Sequence, residues 1–181
     1  MNGYKKIFWG MIFTIFHFNL GPIEILPDFI AILIVCSGIK EILVFYDNAS
    51  IKISLKLLNI KVYMSLISFI LLFIGRQNIF NSNILNIFWF NLGCILEILS
   101  IVKILEGTSE ILSENYDISL GKKYENIAIR YTYYYSVVLI LSNINFIFIS
   151  KPITFLISIY AFIVKLIVIF SFKKLYKENY I

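Results

Sequence analysis

Apolar residues run in blocks along this chain, parted by short polar interruptions, and the blocks are about as long as a bilayer is thick. Six stand out, at about 4–20, 28–46, 62–80, 84–105, 133–150 and 153–172. A helix needs about 20 mostly apolar residues to cross the hydrocarbon core. The pattern therefore predicts an all-α, polytopic membrane protein of about six transmembrane helices, arranged as three hairpins in one domain spanning 1–181. No convincing repeat relates the hairpins. The first block has the shortest uninterrupted apolar core, 7–18, so a tilted or half-inserted first helix stays open. Lys5 and Lys6 before "IFWGMIFTIF" look like the start of a signal peptide. No small-x-small cleavage site follows, and the block is read as an anchor.

The connections divide into short and long ones. Residues 47–61 alternate apolar and polar between Ile51 and Leu57, as a strand would. An isolated strand at a membrane surface leaves its backbone unpaired, whereas a helix gathers Lys52, Lys56 and Asn59 into one polar stripe. The segment is therefore expected to be an interfacial cytoplasmic helix. Residues 106–131 form the most water-compatible stretch and are expected to be a cytoplasmic helical loop. Glu106, Glu110 and Glu114 recur every four residues as a solvated face, "DISLG" at 117–121 is expected to break the helix, and a basic segment leads through Arg130 into the fifth helix.

Composition agrees with the blocks. Of the 181 residues, 60% are hydrophobic and 15% charged, and the mean hydropathy is +0.86. A soluble domain keeps roughly a quarter of its residues charged, so too few polar groups remain here to cover a water-facing surface. A net charge of +5 could be read as a nucleic-acid footprint, but that needs a basic face on a soluble fold, and no nucleic acid is expected. The cations serve instead as topology signals. With both termini inside, thirteen Lys and Arg, including Lys61 and Lys103, lie on the inner side, against Arg76 and Lys151 on the outer side. Trp9, Trp89 and the Tyr133–Tyr135 run fall near helix ends, where interfacial aromatics sit. Thirty-eight isoleucines and fourteen asparagines against four alanines suggest an AT-rich bacterial genome. The expected location is the bacterial cytoplasmic membrane, multi-pass, with the lipid bilayer as first partner. Cys36 and Cys94 lie inside apolar blocks without ligand spacing and read as buried thiols.

One interruption holds unusual chemistry. "FHFNLGPIEILPDFIAIL", residues 16–33, sets His17, Asn19, Glu24 and Asp28 among two prolines. Gly21 and Pro22 stop a helix, and Pro27 suits the first turn of the next, where Asp28 faces the positive end of the helix dipole. Two readings remain open: an outer turn with solvated or capping carboxylates, or a re-entrant turn lining a shallow cavity with those four residues. The pattern "KKIFWG…LPDFIAILIVCSGIKEI" resembles the start of small multi-pass membrane proteins of Gram-positive bacteria that carry an "LPDFIG" turn into an apolar helix. The likeness covers mainly residues 5–45, with Ala31 where the family pattern has glycine. It implies membrane placement and carries no activity, because the group has no assigned one.

Two charges fall inside the blocks. Glu97 lies about three residues past the middle of the fourth helix, and Lys165 two or three past the middle of the sixth. Both helices run from outside to inside, so at ~1.5 Å per residue the groups share one depth. An intramembrane charge needs a named partner, and Glu97 and Lys165 are expected to form an ion pair, or to share a water-filled pocket, between the fourth and sixth helices. Separate snorkelling to the inner interface is the alternative, and Lys103 is a weaker partner at six positions from Glu97. Asn91, Asn143 and Asn145 are placed to bond between helices.

No phosphate-binding glycine loop, HExxH or Ser-His-Asp set is present, so no catalytic residue, metal or cofactor is expected, and the chain is not expected to be an enzyme. The function favoured is structural or regulatory, through contacts with other membrane proteins at 106–131. The alternative is a small transport component, substrate-binding or ion-handling, since vitamin-uptake binding subunits resemble this chain in size and hydropathy. Their first helix typically shows small-residue docking faces, where this one offers Gly10 and Thr14.

Overall fold

Long apolar runs without internal proline or glycine pairs propagate as helices until a residue with a better local option ends them. The computed structural model describes residues 3–15, 19–20, 23–24, 27–73, 83–148 and 151–177. Six helices follow in chain order: α1 (Gly3–Ile15), α2 (Asp28–Phe45), α3 (Ala49–Phe73), α4 (Asn83–Asn115), α5 (Ile118–Phe148) and α6 (Lys151–Lys177). Between α1 and α2, β1 (Asn19–Leu20) pairs antiparallel with β2 (Ile23–Glu24), setting Asn19 opposite Glu24. This two-stranded ribbon is an addition to the all-helical expectation.

Local chemistry sets the helix ends. The Asn48 side chain accepts the Ile51 N–H at 3.0 Å, an N-cap that starts α3 right after the Tyr46 turn. No proline or glycine interrupts Ala49–Phe73, so the expected interfacial segment 47–61 and the third span form one continuous helix. Likewise α4 runs on to Asn115, and the break falls at Tyr116–Asp117, not across 117–121. Asp117 caps α5 by accepting the Ser119 N–H at 2.9 Å and its hydroxyl at 2.5 Å. These bonds hold the Asp117 carboxyl below the usual carboxylate range. The cap is therefore intact at neutral pH and weakens as acid protonates it. Gly121 lies inside α5, where a Cβ would meet the Ser109 carbonyl oxygen at 2.7 Å.

The helices close into a ring. Each packs on its neighbour in sequence, and α6 returns to α1. Packing is uneven along the ring axis. Tyr4, Ile7, Ile39, Ile42, Ile51, Ile104, Leu105, Leu112 and Phe172 are buried together at the end holding the Tyr46 and Tyr116 turns. Towards the other end Ile140, Ile144 and Phe148 of α5 and Ile153, Phe155 and Leu156 of α6 are exposed, a surface that suits lipid. Three helices are long and apolar enough to cross a membrane: α3 over Ala49–Leu71, α4 over Leu85–Asn115, and α6. The others fall short for identifiable reasons. At ~1.5 Å per residue α1 reaches only ~20 Å, α2 holds Asp28, Lys40 and Glu41, and α5 holds Lys122, Lys123, Glu125 and Arg130 in its first half, followed by four tyrosines, Asn143 and Asn145.

At the packed end the Tyr4 hydroxyl donates to Thr108 Oγ1 at 3.0 Å, both residues being buried. Tyr4→Phe is expected to cost about 1–2 kcal/mol, because the Thr108 hydroxyl stays buried without its donor. Pairing it with Thr108→Val should recover most of that loss in detergent unfolding. A single-variant loss under ~0.3 kcal/mol would mean the bond is not formed.

Candidate functional site

Beside the packed end, four helices direct polar side chains to one point. Glu97 of α4 is the hub. Lys165 Nζ of α6 lies 2.5 Å from its Oε1, and Lys61 Nζ of α3 lies 2.6 Å from its Oε2. From α5 the Tyr135 hydroxyl approaches Oε1 at 3.4 Å, a long and weak bond, and its ring lies 5.6 Å beneath the Lys165 ammonium. The three charged side chains are only 16–20% exposed. One carboxylate facing two ammonium groups leaves the centre with one net positive charge.

Two cavities adjoin these side chains. A small one of about 30 Å³ touches Lys61, Glu97 and Lys165 together, walled by Met11, Ile15, Ile32, Ile104 and Ile169. A larger one of about 250 Å³ is lined by Asp28, Lys61, Ser65, Ser68, Trp89, Cys94 and Glu97. Its polar wall is ordered by Trp89 Nε1 donating to Ser68 Oγ at 3.0 Å and Ser68 Oγ donating to the Met64 carbonyl. Gly93 leaves room on the α4 side, for nothing lies within 4 Å of where its Cβ would be.

The residues singled out in the sequence fall as follows. Glu97 and Lys165 meet directly. Lys103 bonds Glu106 instead, at 2.5 Å, in keeping with its poor spacing to Glu97. Asn91 and Asn143 exchange amide bonds of 2.7 and 2.8 Å between α4 and α5, and Asn145 donates to Thr154 at 2.7 Å. Asp28 opens α2 and lines the larger cavity with Lys61 and Glu97. Asp28 and Glu97, far apart in the sequence, thus share a cavity. Asn19 and Glu24 oppose each other in the ribbon, and His17 lies outside the described residues.

Two members are hidden in the sequence pattern. Lys61 falls with the inner-side charges when the third apolar block starts at 62; its signal is the unbroken run from Ala49 to Phe73, which sets Lys61 mid-helix. Tyr135 reads as interfacial from its place in the tyrosine run. Among the described residues no three His, Cys, Asp or Glu side chains are grouped to hold a metal. Comparison with known protein families, curated proteins and solved structures finds no match.

Proposed function

We propose that this is a multi-pass protein of the bacterial cytoplasmic membrane, with both termini inside, whose Lys61–Glu97–Lys165 centre binds a small solute or ion reached from the outer face. It would serve as the binding component of a transport system. One observation carries this reading: a single cavity of about 250 Å³ touches both Asp28, at the start of α2, and the Lys61–Glu97 pair inside the ring. A purely structural ion pair needs no such access, and gains nothing from a second lysine that unbalances its charge. The excess of Lys and Arg at the opposite end supports the orientation. Gly3 and Gly10 pack against α2, so the small residues of α1 serve the fold itself.

The test is access. In a Cys36→Ala/Cys94→Ala background, a membrane-impermeant thiol reagent added to intact cells should modify Ser65→Cys. Ser113→Cys, at the inner ends of α4 and α5, should react only after permeabilisation. Protection of Ser65→Cys in intact cells would remove the outward-open reading.

A second reading, partner contact at 106–131, rests on a groove of about 540 Å³ between α4 and α5. Glu106, Glu110, Glu114 and Glu125 line it with Ser109 and Ser113, and its charge suits a basic segment. Glu110 also bonds Asn48 and Ser50 of the neighbouring helix start, so part of this stripe serves the fold.

A further inference from the structure

Neither charge nor hydrogen bonding is balanced at the centre. An ammonium carries three donors, and among the described residues Lys61 and Lys165 each direct one to Glu97. Both oxygens of that carboxylate are already engaged, Oε1 by Lys165 and Tyr135, Oε2 by Lys61. The Tyr131 side chain is 2% exposed, and its hydroxyl has no hydrogen-bond partner among the described residues. It lies within electrostatic reach of Glu97 and Lys165. Thr14 and Ser100 donate to the Met11 and Glu97 carbonyls, and among the described residues neither hydroxyl oxygen accepts from Lys61 or Lys165. Donors and positive charge are both in surplus, in a setting where an uncompensated charge costs several kcal/mol.

We propose that Lys61, which lines the Asp28-side cavity beside Glu97, binds a monovalent anion there, with Lys165 on the other oxygen of Glu97 adding to the positive charge. A carboxylate on a short apolar tail and a halide ion share the required chemistry. The space favours the carboxylate, because Ile32, Met64 and Phe90 line the larger cavity next to Lys61 and offer a tail an apolar wall. Asp28 lines the same cavity on the first turn of α2, where the helix dipole offsets part of its charge. Glu97 holds the two lysines together and keeps the centre at one net positive charge, which one monovalent anion neutralises.

The inference deepens the proposed binding centre and rests on it. Its test is thermal unfolding of the purified full-length protein in detergent, titrated with sodium butyrate and, separately, sodium chloride. Butyrate should raise Tm along a saturating curve, by roughly 5–10 °C at a hundredfold excess over Kd. Lys61→Gln, which leaves a neutral Glu97–Lys165 pair and should fold, is expected to weaken that affinity at least tenfold. Saturation by chloride with no effect of butyrate would uphold the anion and assign the halide. An absence of saturable stabilisation by either salt, or equal shifts in Lys61→Gln, would overturn the proposal. The labelling of Ser65→Cys separates the two failures: labelling without an anion effect removes only the anion, whereas protection of Ser65→Cys removes the outward-open centre as well.

Discussion

Glu97→Gln is expected to be the most damaging single change at the polar centre, costing about 3–5 kcal/mol, while loss of either lysine costs far less. In a simple ion pair the two partners are equivalent, because each removal strands one buried charge. Here the stoichiometry breaks that symmetry. Without the Glu97 carboxylate, two ammonium groups that had met on its two oxygens face each other with no counter-charge. With Lys165→Met, by contrast, Glu97 keeps Lys61 at 2.6 Å and the centre becomes neutral, so the lost contact is offset by the removal of an excess charge. The expected change is within about 1 kcal/mol of zero. Adding Lys165→Met to Glu97→Gln should recover more than half of the Glu97→Gln loss, since only one ammonium is then left. Thermal unfolding of the three variants in detergent or lipid decides the matter. Equal losses for Glu97→Gln and Lys165→Met would show that Lys61 takes no part and that the centre is a plain pair.

What was legible in the sequence here, and what was not, divides along the range of the interactions. The existence and order of six helices follow from apolar block length, a local property. The meeting of Glu97 and Lys165 could be reached by counting from the middle of their helices, because a regular rise converts position into depth. Lys61 obeys the same arithmetic, but only once α3 is known to begin at Ala49. That start depends on the Asn48 side chain capping Ile51, and a lone asparagine in an asparagine-rich chain does not announce itself. Asp28 was recognised as the first-turn residue of α2. Its sharing of a cavity with Glu97 depends on how α2, α3 and α4 pack together, a tertiary property written in no single segment. The same holds for Tyr131 and Tyr135. On a helix wheel they mark one face of α5, and only the closure of α6 against that face sets them beside Lys165.

Gly38→Val should lower stability by about 3 kcal/mol, at the upper end of what overpacking ordinarily costs, because the contact it disturbs is between backbones. A Cβ at Gly38 would lie 2.5 Å from the Gly3 carbonyl oxygen and 3.0 Å from the Ile7 amide nitrogen. A Cβ at Gly10 would lie 2.8 Å from the Val35 nitrogen and 3.0 Å from the Ala31 oxygen. The two helices thus touch along most of α1, their small residues letting the backbones approach closely. A rotamer change cannot relieve a clash with backbone, so α1 must move away as a body. That displacement also takes Tyr4 from Thr108 and shifts Met11 and Ile15, which wall the small cavity beside Glu97 and Lys165. The variant should therefore lose stability and open the polar centre together. Gly93→Ala is the matching control. Nothing lies within 4 Å of its Cβ position, so removing a helix-interior glycine should be neutral or stabilising by about 0.5–1 kcal/mol. Equal behaviour of the two variants in unfolding would mean that α1 and α2 do not approach so closely, and the wall around the centre would have to be redrawn from α2 outward.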